Sequence, residues 1–140
     1  MADRSEFDIL IPSDTTQGYE VQERILALLE QSGYSSKEIF GVKLSLEEAI
    51  VNAIKHGNGM DPAKQVRIQC EVDASQALIV IEDEGEGFRL EDVPDPTEEE
   101  NLEKPSGRGL MLMRAFMTTV EYNERGNRVR LVKQRQTDAG

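Results

Sequence analysis

The chain has 140 residues, 27 of them acidic and 16 basic, giving a formal net charge of −11. That balance argues against general nucleic-acid binding, which needs a basic surface. The single cysteine, Cys70, excludes an internal disulfide and fits a reducing cytoplasm. No apolar run approaches the ~20 residues of a membrane-spanning helix, and no basic-then-apolar leader opens the chain. The length suits one domain, and an apolar fraction of 38% is enough to build a core.

In chain order, Phe7 to Pro12 is a short apolar run closed by a proline, which predicts an edge strand. Asp14 with Gln17 three residues on has the spacing of a capping box. It opens a helix with Val21, Ile25, Leu28 and Leu29 on one face, ending near Gly33. Ser35 with Glu38 is a second box of this kind. The helix after it carries Ile39, Val42, Leu46, Ala49, Ile50 and Ala53 at helical spacing and stops at Gly57. From Gln65 to Val72 apolar and polar residues alternate, the pattern of a half-buried strand. Ala77 to Ile81 is a nearly continuous apolar strand. After a long loop, Leu110 to Met117 reads as a helix whose Met111, Met113 and Met117 fill core gaps. Thr118 to Glu124 and Arg128 to Lys133 form a last hairpin around Arg125-Gly126-Asn127. The order β-α-α-β-β-loop-α-β-β predicts an α+β, two-layer α/β sandwich, with helices on one face of a mixed, mostly antiparallel sheet.

The charge is concentrated. Residues 82 to 103 hold eleven acids against one base, Arg89, a net of −10. With Gly85, Gly87, Pro94 and Pro96 in it, this stretch reads as a solvated loop. A loop of about twenty residues inside a compact domain is usually a lid, a binding loop or a disordered insertion. The basic residues Arg125, Arg128, Arg130, Lys133 and Arg135 are a candidate counter-surface for it.

Three short segments carry possible chemistry. On the second helix, Glu48 and Asn52 are four residues apart and share a face, with Lys55 and His56 continuing the stripe. A carboxylate and an amide there suit activation of a hydroxyl and one ligand position on magnesium. The ordinary alternative is a solvated helix face. Asp83-Glu84-Gly85-Glu86-Gly87 follows the apolar strand directly. It places a carboxylate acceptor beside glycines that let backbone approach a flat ligand; alone, it is also a plain glycine turn. Ser106-Gly107-Arg108-Gly109-Leu110 opens the methionine-rich helix. Glycines before a helix N-terminus suit an anion, although neither a Walker A loop nor a Rossmann fingerprint is present.

The order and spacing of these segments resemble the GHKL ATPase superfamily, whose Bergerat (histidine-kinase-like ATPase) nucleotide-binding fold is shared by gyrase, histidine kinases and MutL. Within it, the chain looks most like the RsbW-type anti-sigma-factor serine/threonine kinases. The stretch E-A-x-x-N-A-x-K-H is similar to the family's N box, D-x-G-x-G to its first glycine box and S-G-x-G-L to its second. The resemblance implies one ATPase domain over residues 1–140, with a core at about 7–133 and an ATP lid at about 88–106. It implies Glu48 as general base and Asn52 as the Mg²⁺ ligand, with Lys55 or His56 near the phosphates. Asp83 would bind the adenine amino group, with Gly85 and Gly87 shaping the pocket. Gly107, Arg108, Gly109 and Leu110 would form the phosphate-side box.

The implied cofactors are ATP or ADP with Mg²⁺. The implied activity is phosphorylation of a serine on a STAS-domain antagonist, in the cytoplasm, with sequestration of a sigma factor and homodimerisation as further family traits. The alternative is a nucleotide-dependent binding module without kinase activity; an intact Glu48 favours the kinase. Two positions depart from the family. Gly126-Asn127-Arg128 stands where G-T-T is common, so a hydroxyl on the adenine side is lost or Asn127 takes its place. Tyr19-Glu20-Val21 stands where some anti-sigma kinases carry a partner-contacting arginine, and Arg24 is not a secure replacement.

Overall fold

A computed structural model gives the architecture; it describes residues 4–85 and 107–135. The element order is β1 (Ser5–Pro12), α1 (Thr15–Gln31), α2 (Ser36–Val51), β2 (Gln65–Val72), β3 (Gln76–Glu82), α3 (Gly107–Phe116), β4 (Thr119–Tyr122) and β5 (Arg128–Gln134). The strands form one sheet in the order β1-β2-β3-β5-β4. Among the described residues every pairing is antiparallel, and no parallel pair is seen in the mixed, mostly antiparallel sheet expected from the sequence.

Alternation along the strands sorts the side chains. Val66, Ile68, Cys70 and Val72 of β2 face the helices and are fully or nearly fully buried, as are Ala77, Ile79 and Ile81 of β3 and Leu131 of β5. They meet Ile25 and Leu29 of α1, Val42, Leu46 and Ile50 of α2, and Met113 of α3. Burial pushes the Cys70 thiol up to about 12, which leaves it inert. Asp8, Arg67 and Gln69 lie on the opposite, helix-free face, where the Arg67 guanidinium grips Asp8 at 2.6 and 3.0 Å. That pair is exposed and adds little stability.

The caps differ from each other. Ser35 and Glu38 form the full reciprocal box that the sequence predicts, at 3.1 and 3.0 Å. Asp14 caps α1 by accepting from Thr16 N at 2.8 Å, and among the described residues no bond from Gln17 completes a box. Of the three methionines read as core filler, Met113 and Met117 are buried, while Met111 is 65% exposed on the outer face of α3. α3 also starts earlier than predicted, at Gly107.

The basic residues of the last hairpin do not form one surface. Arg128 and Arg130 lie on the helix-free side of the sheet, whereas Lys133 donates to Phe116 O at the end of α3 and Arg135 donates to Ala74 O. Arg125 turns toward the glycine box, donating to Gly85 O. The lid at 88–106, with Glu98, Glu99 and Glu100, lies outside the described residues.

Because Leu46 is fully buried between the layers, Leu46→Ala should cost about 2–5 kcal/mol of stability in urea unfolding. Ser35→Ala should cost about 1 kcal/mol through the lost cap. A smaller loss for Leu46→Ala than for Ser35→Ala would contradict the placement of the core.

Candidate functional site

The second helix does not run straight to Gly57. After Val51 it widens into a π-helical turn, Asn52–Gly57, in which Asn58 N donates to Ala53 O at 2.9 Å and Met60 N to Ile54 O at 2.8 Å. Widened turns of this kind recur at functional sites because they redirect side chains that a regular helix would stack. Here the widening divides the predicted stripe. Asn52 and His56 face a pocket, while Lys55 is exposed and does not line it.

The pocket lies where this widened turn meets the ends of the central strands. Ala49, Asn52, Ala53, His56 and Gly57 form one wall. Ile81 and Asp83 from the end of β3 form the floor, and Tyr122, Gly126, Asn127 and Val129 from the last hairpin close the other side. Burial pushes the Tyr122 phenol up to about 12, and the charges of Asp83 and Glu48 both act on it. Glu48 is half-buried, one helical turn before Asn52 on α2.

Asp83 is held from several sides. Its backbone N donates to Asn127 O at 2.9 Å, and its carbonyl accepts from Asn127 Nδ2 at 2.9 Å. Its carboxylate accepts from Gly85 N at 2.8 Å. The carboxyl is raised from its ordinary 3.8 to about 6, chiefly because burial penalises the charge; the Gly85 N–H and the Arg125 guanidinium offset this only in part.

The glycines are there for space. A Cβ on Gly57 would lie 2.3 Å from the Asp83 carboxyl carbon, and one on Gly85 would lie 1.9 Å from Gly57 O. Neither contact is tolerable, so the helix end and the strand end meet backbone to backbone. Behind them, Asn58, only 2% exposed, ties four segments together. Its Nδ2 donates to Ser13 Oγ and Gln65 O, and its Oδ1 accepts from Glu84 N at 2.7 Å. The Glu84 carboxylate accepts from Gln65 N, closing the ring.

Of the residues singled out from the sequence, Asn52, His56 and Asp83 line the pocket and Gly85 packs beneath it. Leu110 packs partly buried against the core in the first turn of α3, and the backbone of Gly107, Arg108 and Gly109 forms the start of that helix. Gly87 lies outside the described residues. Gly57, Asn58 and Tyr122 were missed. Gly57 reads as a helix stop and Tyr122 as a strand residue, and nothing in their local pattern signals a pocket.

Residues 11–133 match the model of the histidine kinase-like ATPase domain. The chain belongs to that family. Among curated relatives, the anti-sigma F factor of Clostridium novyi (strain NT) is 36% identical over 117 residues, covering 78% of this chain and 80% of the relative. The anti-sigma F factor of Clostridium perfringens (strain SM101 / Type A) is 30% identical over 116 residues, covering 80% and 82%. A crystal structure of the RsbU and RsbW domains of Rv1364c from Mycobacterium tuberculosis superposes with a TM-score of 0.64 at 13% identity. It covers 94% of this chain, which spans 32% of that longer one, and the likeness establishes the shared fold. Membership in the ATPase family implies nucleotide binding. Among the described residues no helix is long and apolar enough to cross a membrane.

A carboxyl raised to about 6 contributes stability that is complete below 3.8 and is lost as pH rises through 6. If a base amine donates to Asp83, as the sequence reading expects, it favours the charged form, so binding would lower this pKa and release a proton. ATP affinity measured by calorimetry should therefore fall as pH drops below about 6. Asp83→Asn should weaken binding roughly 10- to 100-fold and flatten that dependence. A pH profile identical in the two proteins would contradict the role of Asp83.

Proposed function

We propose that this protein is an ATP-dependent serine/threonine protein kinase of the anti-sigma type, acting in the cytoplasm on a serine of a STAS-domain antagonist and sequestering a sigma factor. The observation that carries the proposal is the pairing of Glu48 and Asn52, one turn apart on the helix whose widened end walls the pocket, across from Asp83. The anti-sigma F factor names of the relatives support the choice of partner class.

In this reading Asp83 fixes the base at the floor, with Gly85 and Gly87 shaping the pocket around it. Asn52 offers one amide oxygen to Mg²⁺, with His56 beside the phosphates and Lys55 at the rim. Among the described residues no group of three or more His, Cys, Asp or Glu side chains could hold a metal alone. Magnesium takes one or two protein oxygens and fills its shell with phosphate and water, so one amide oxygen is enough for this role. When bound, the ion neutralises charge on the phosphates. The helix start at Gly107, Arg108 and Gly109, backed by Leu110, supplies backbone donors on the phosphate side. Glu48 orients the substrate serine and takes its proton as the new O–P bond forms and the bond between the γ-phosphorus and the bridging oxygen breaks, leaving ADP.

The chain is proposed to act as a homodimer through the helix-free face of the sheet. Leu78 and Val80 line a groove there, with Glu6, Asp8 and Glu71 on one flank and Arg128 and Arg130 on the other. A two-fold axis parallel to the strands sets each copy's arginines opposite its partner's acids.

Glu48→Gln should retain ATP affinity and lose at least about 100-fold in phosphotransfer to a cognate antagonist. Equal transfer by mutant and wild type would exclude Glu48 as base. Wild type that binds ATP and the antagonist without transferring phosphate would leave the binding module as the better reading. Reversing both Arg128 and Arg130 to Glu should take the mass seen by light scattering from two chains to one; an unchanged dimer would place the interface elsewhere.

A further inference from the structure

The loop between β4 and β5 holds one arginine in a fixed frame. Asn123 Oδ1 accepts from three backbone N–H groups, those of Gly126 (2.8 Å), Asn127 (3.1 Å) and Arg128 (3.2 Å). Gly126 N also donates to Asn123 O at 3.0 Å, and Gly126 adopts a φ of 80° that a side chain would strain. The backbone around Arg125 is therefore set by the loop itself. Its side chain leaves on the helix-free side of the sheet, beside Leu10, Arg67 and Glu82. The pocket described above lies on the other side, and Asp83 and Asn127 line both spaces.

From that side Arg125 reaches the site in two ways. Its Nη2 donates to Gly85 O at 2.9 Å, while Gly85 N donates to the Asp83 carboxylate at 2.8 Å. Both polar groups of Gly85 are thus engaged, one by the pocket's carboxylate and one by a cation behind it. Gly85 has no side chain to hold it, so these bonds and its backbone contact with Gly57 set its position. The second link is charge. Arg125 favours the ionised form of Asp83 more strongly than Lys64 does, and Glu82 acts against both. His56 and Tyr122 line the pocket with Asp83, and Tyr122 stays neutral, its phenol pushed up to about 12.

Burial drives the Asp83 carboxyl toward its neutral form, which is the wrong form for accepting from a base amine. A cation that opposes this without entering the pocket keeps the acceptor charged and leaves the space free. Resting on the nucleotide reading above, we infer that Arg125 is a positioning residue for the pocket, acting from the opposite side of the sheet: it tethers Gly85 and holds Asp83 in its charged, accepting form. Arg125 is exposed, so its charge acts partly through water and its effect is moderate and salt-dependent.

The test follows the Asp83 carboxyl carbon by NMR across pH in the full chain without nucleotide, in wild type, Arg125→Gln and Arg125→Lys. At about 20 mM salt the Asp83 midpoint should rise by about half a pH unit in Arg125→Gln, because losing a nearby cation disfavours the carboxylate. Arg125→Lys keeps the charge, so its midpoint should stay within about 0.2 unit of wild type. Calorimetry with ATP and Mg²⁺ reads the consequence. The loss of affinity in Arg125→Gln should be about 2-fold larger near pH 6 than at about pH 8, where the carboxyl is ionised in both proteins. A purely structural role would weaken binding equally at the two pH values. An unmoved midpoint in folded Arg125→Gln, an equal rise in Arg125→Lys, or a loss of affinity independent of pH would overturn the inference. A midpoint that moves as expected in a chain that binds no ATP would overturn the nucleotide reading, and the positioning role with it.

Discussion

The site depends on one close approach, the backbone contact of Gly57 with Gly85 beside the Asp83 carboxyl. The end of the second helix and the end of the central strand can meet at this distance only because neither position carries a Cβ. The contact sets the spacing between Asn52 and His56 on one wall and Asp83 on the floor. It also half-buries the carboxyl, which raises its pKa. On the proposed reading, in which the carboxyl meets a neutral base, partial burial helps, since a hydrogen bond there competes with less water.

Other features hold that contact in place. The widened turn after Val51 carries the helix end to the strand; a regular helix would have kept Lys55 and His56 on one stripe. Asn58 then pins the turn to Ser13, just after β1, to Gln65 of β2 and to Glu84, with a side chain whose two donors and one acceptor oxygen are all engaged. An unsatisfied buried amide of this kind costs about 1–3 kcal/mol, so the ring resists partial opening. From the far side, the Asn123–Asn127 amides and Arg125 fasten Asp83 and Gly85 to the last hairpin. The pocket is thus built where three chain segments close on one strand end, on the helix-covered side of the sheet.

Much of this was legible before any coordinates. Period-two alternation gave β2 to the residue, because one face of it is buried and the other is not. Ser35 and Glu38 announced their cap, since that motif is local. The N box and the first glycine box pointed to Asn52, His56, Asp83 and Gly85 by spacing and family likeness. What the sequence hid is what depends on tertiary closure. The widened turn has no local signature, so the split between His56, which lines the pocket, and the exposed Lys55 is not visible in the sequence. Gly57 read as a helix stop because its role exists only once β3 arrives. Met111 looked like its buried neighbours, because periodicity in a ten-residue helix is too short to separate faces. The basic residues of the last strand looked like one surface in sequence, but alternation and the strand's end send them to different faces.

The most direct test of this account is amide NMR of the chain titrated with ATP and Mg²⁺. The account predicts that the largest shift changes fall on Asn52, His56, Gly57, Asp83, Gly85 and Asn127, with Arg67, Gln69 and Glu71 on the helix-free face unmoved. Changes centred on that face, or none at saturating nucleotide, would contradict it.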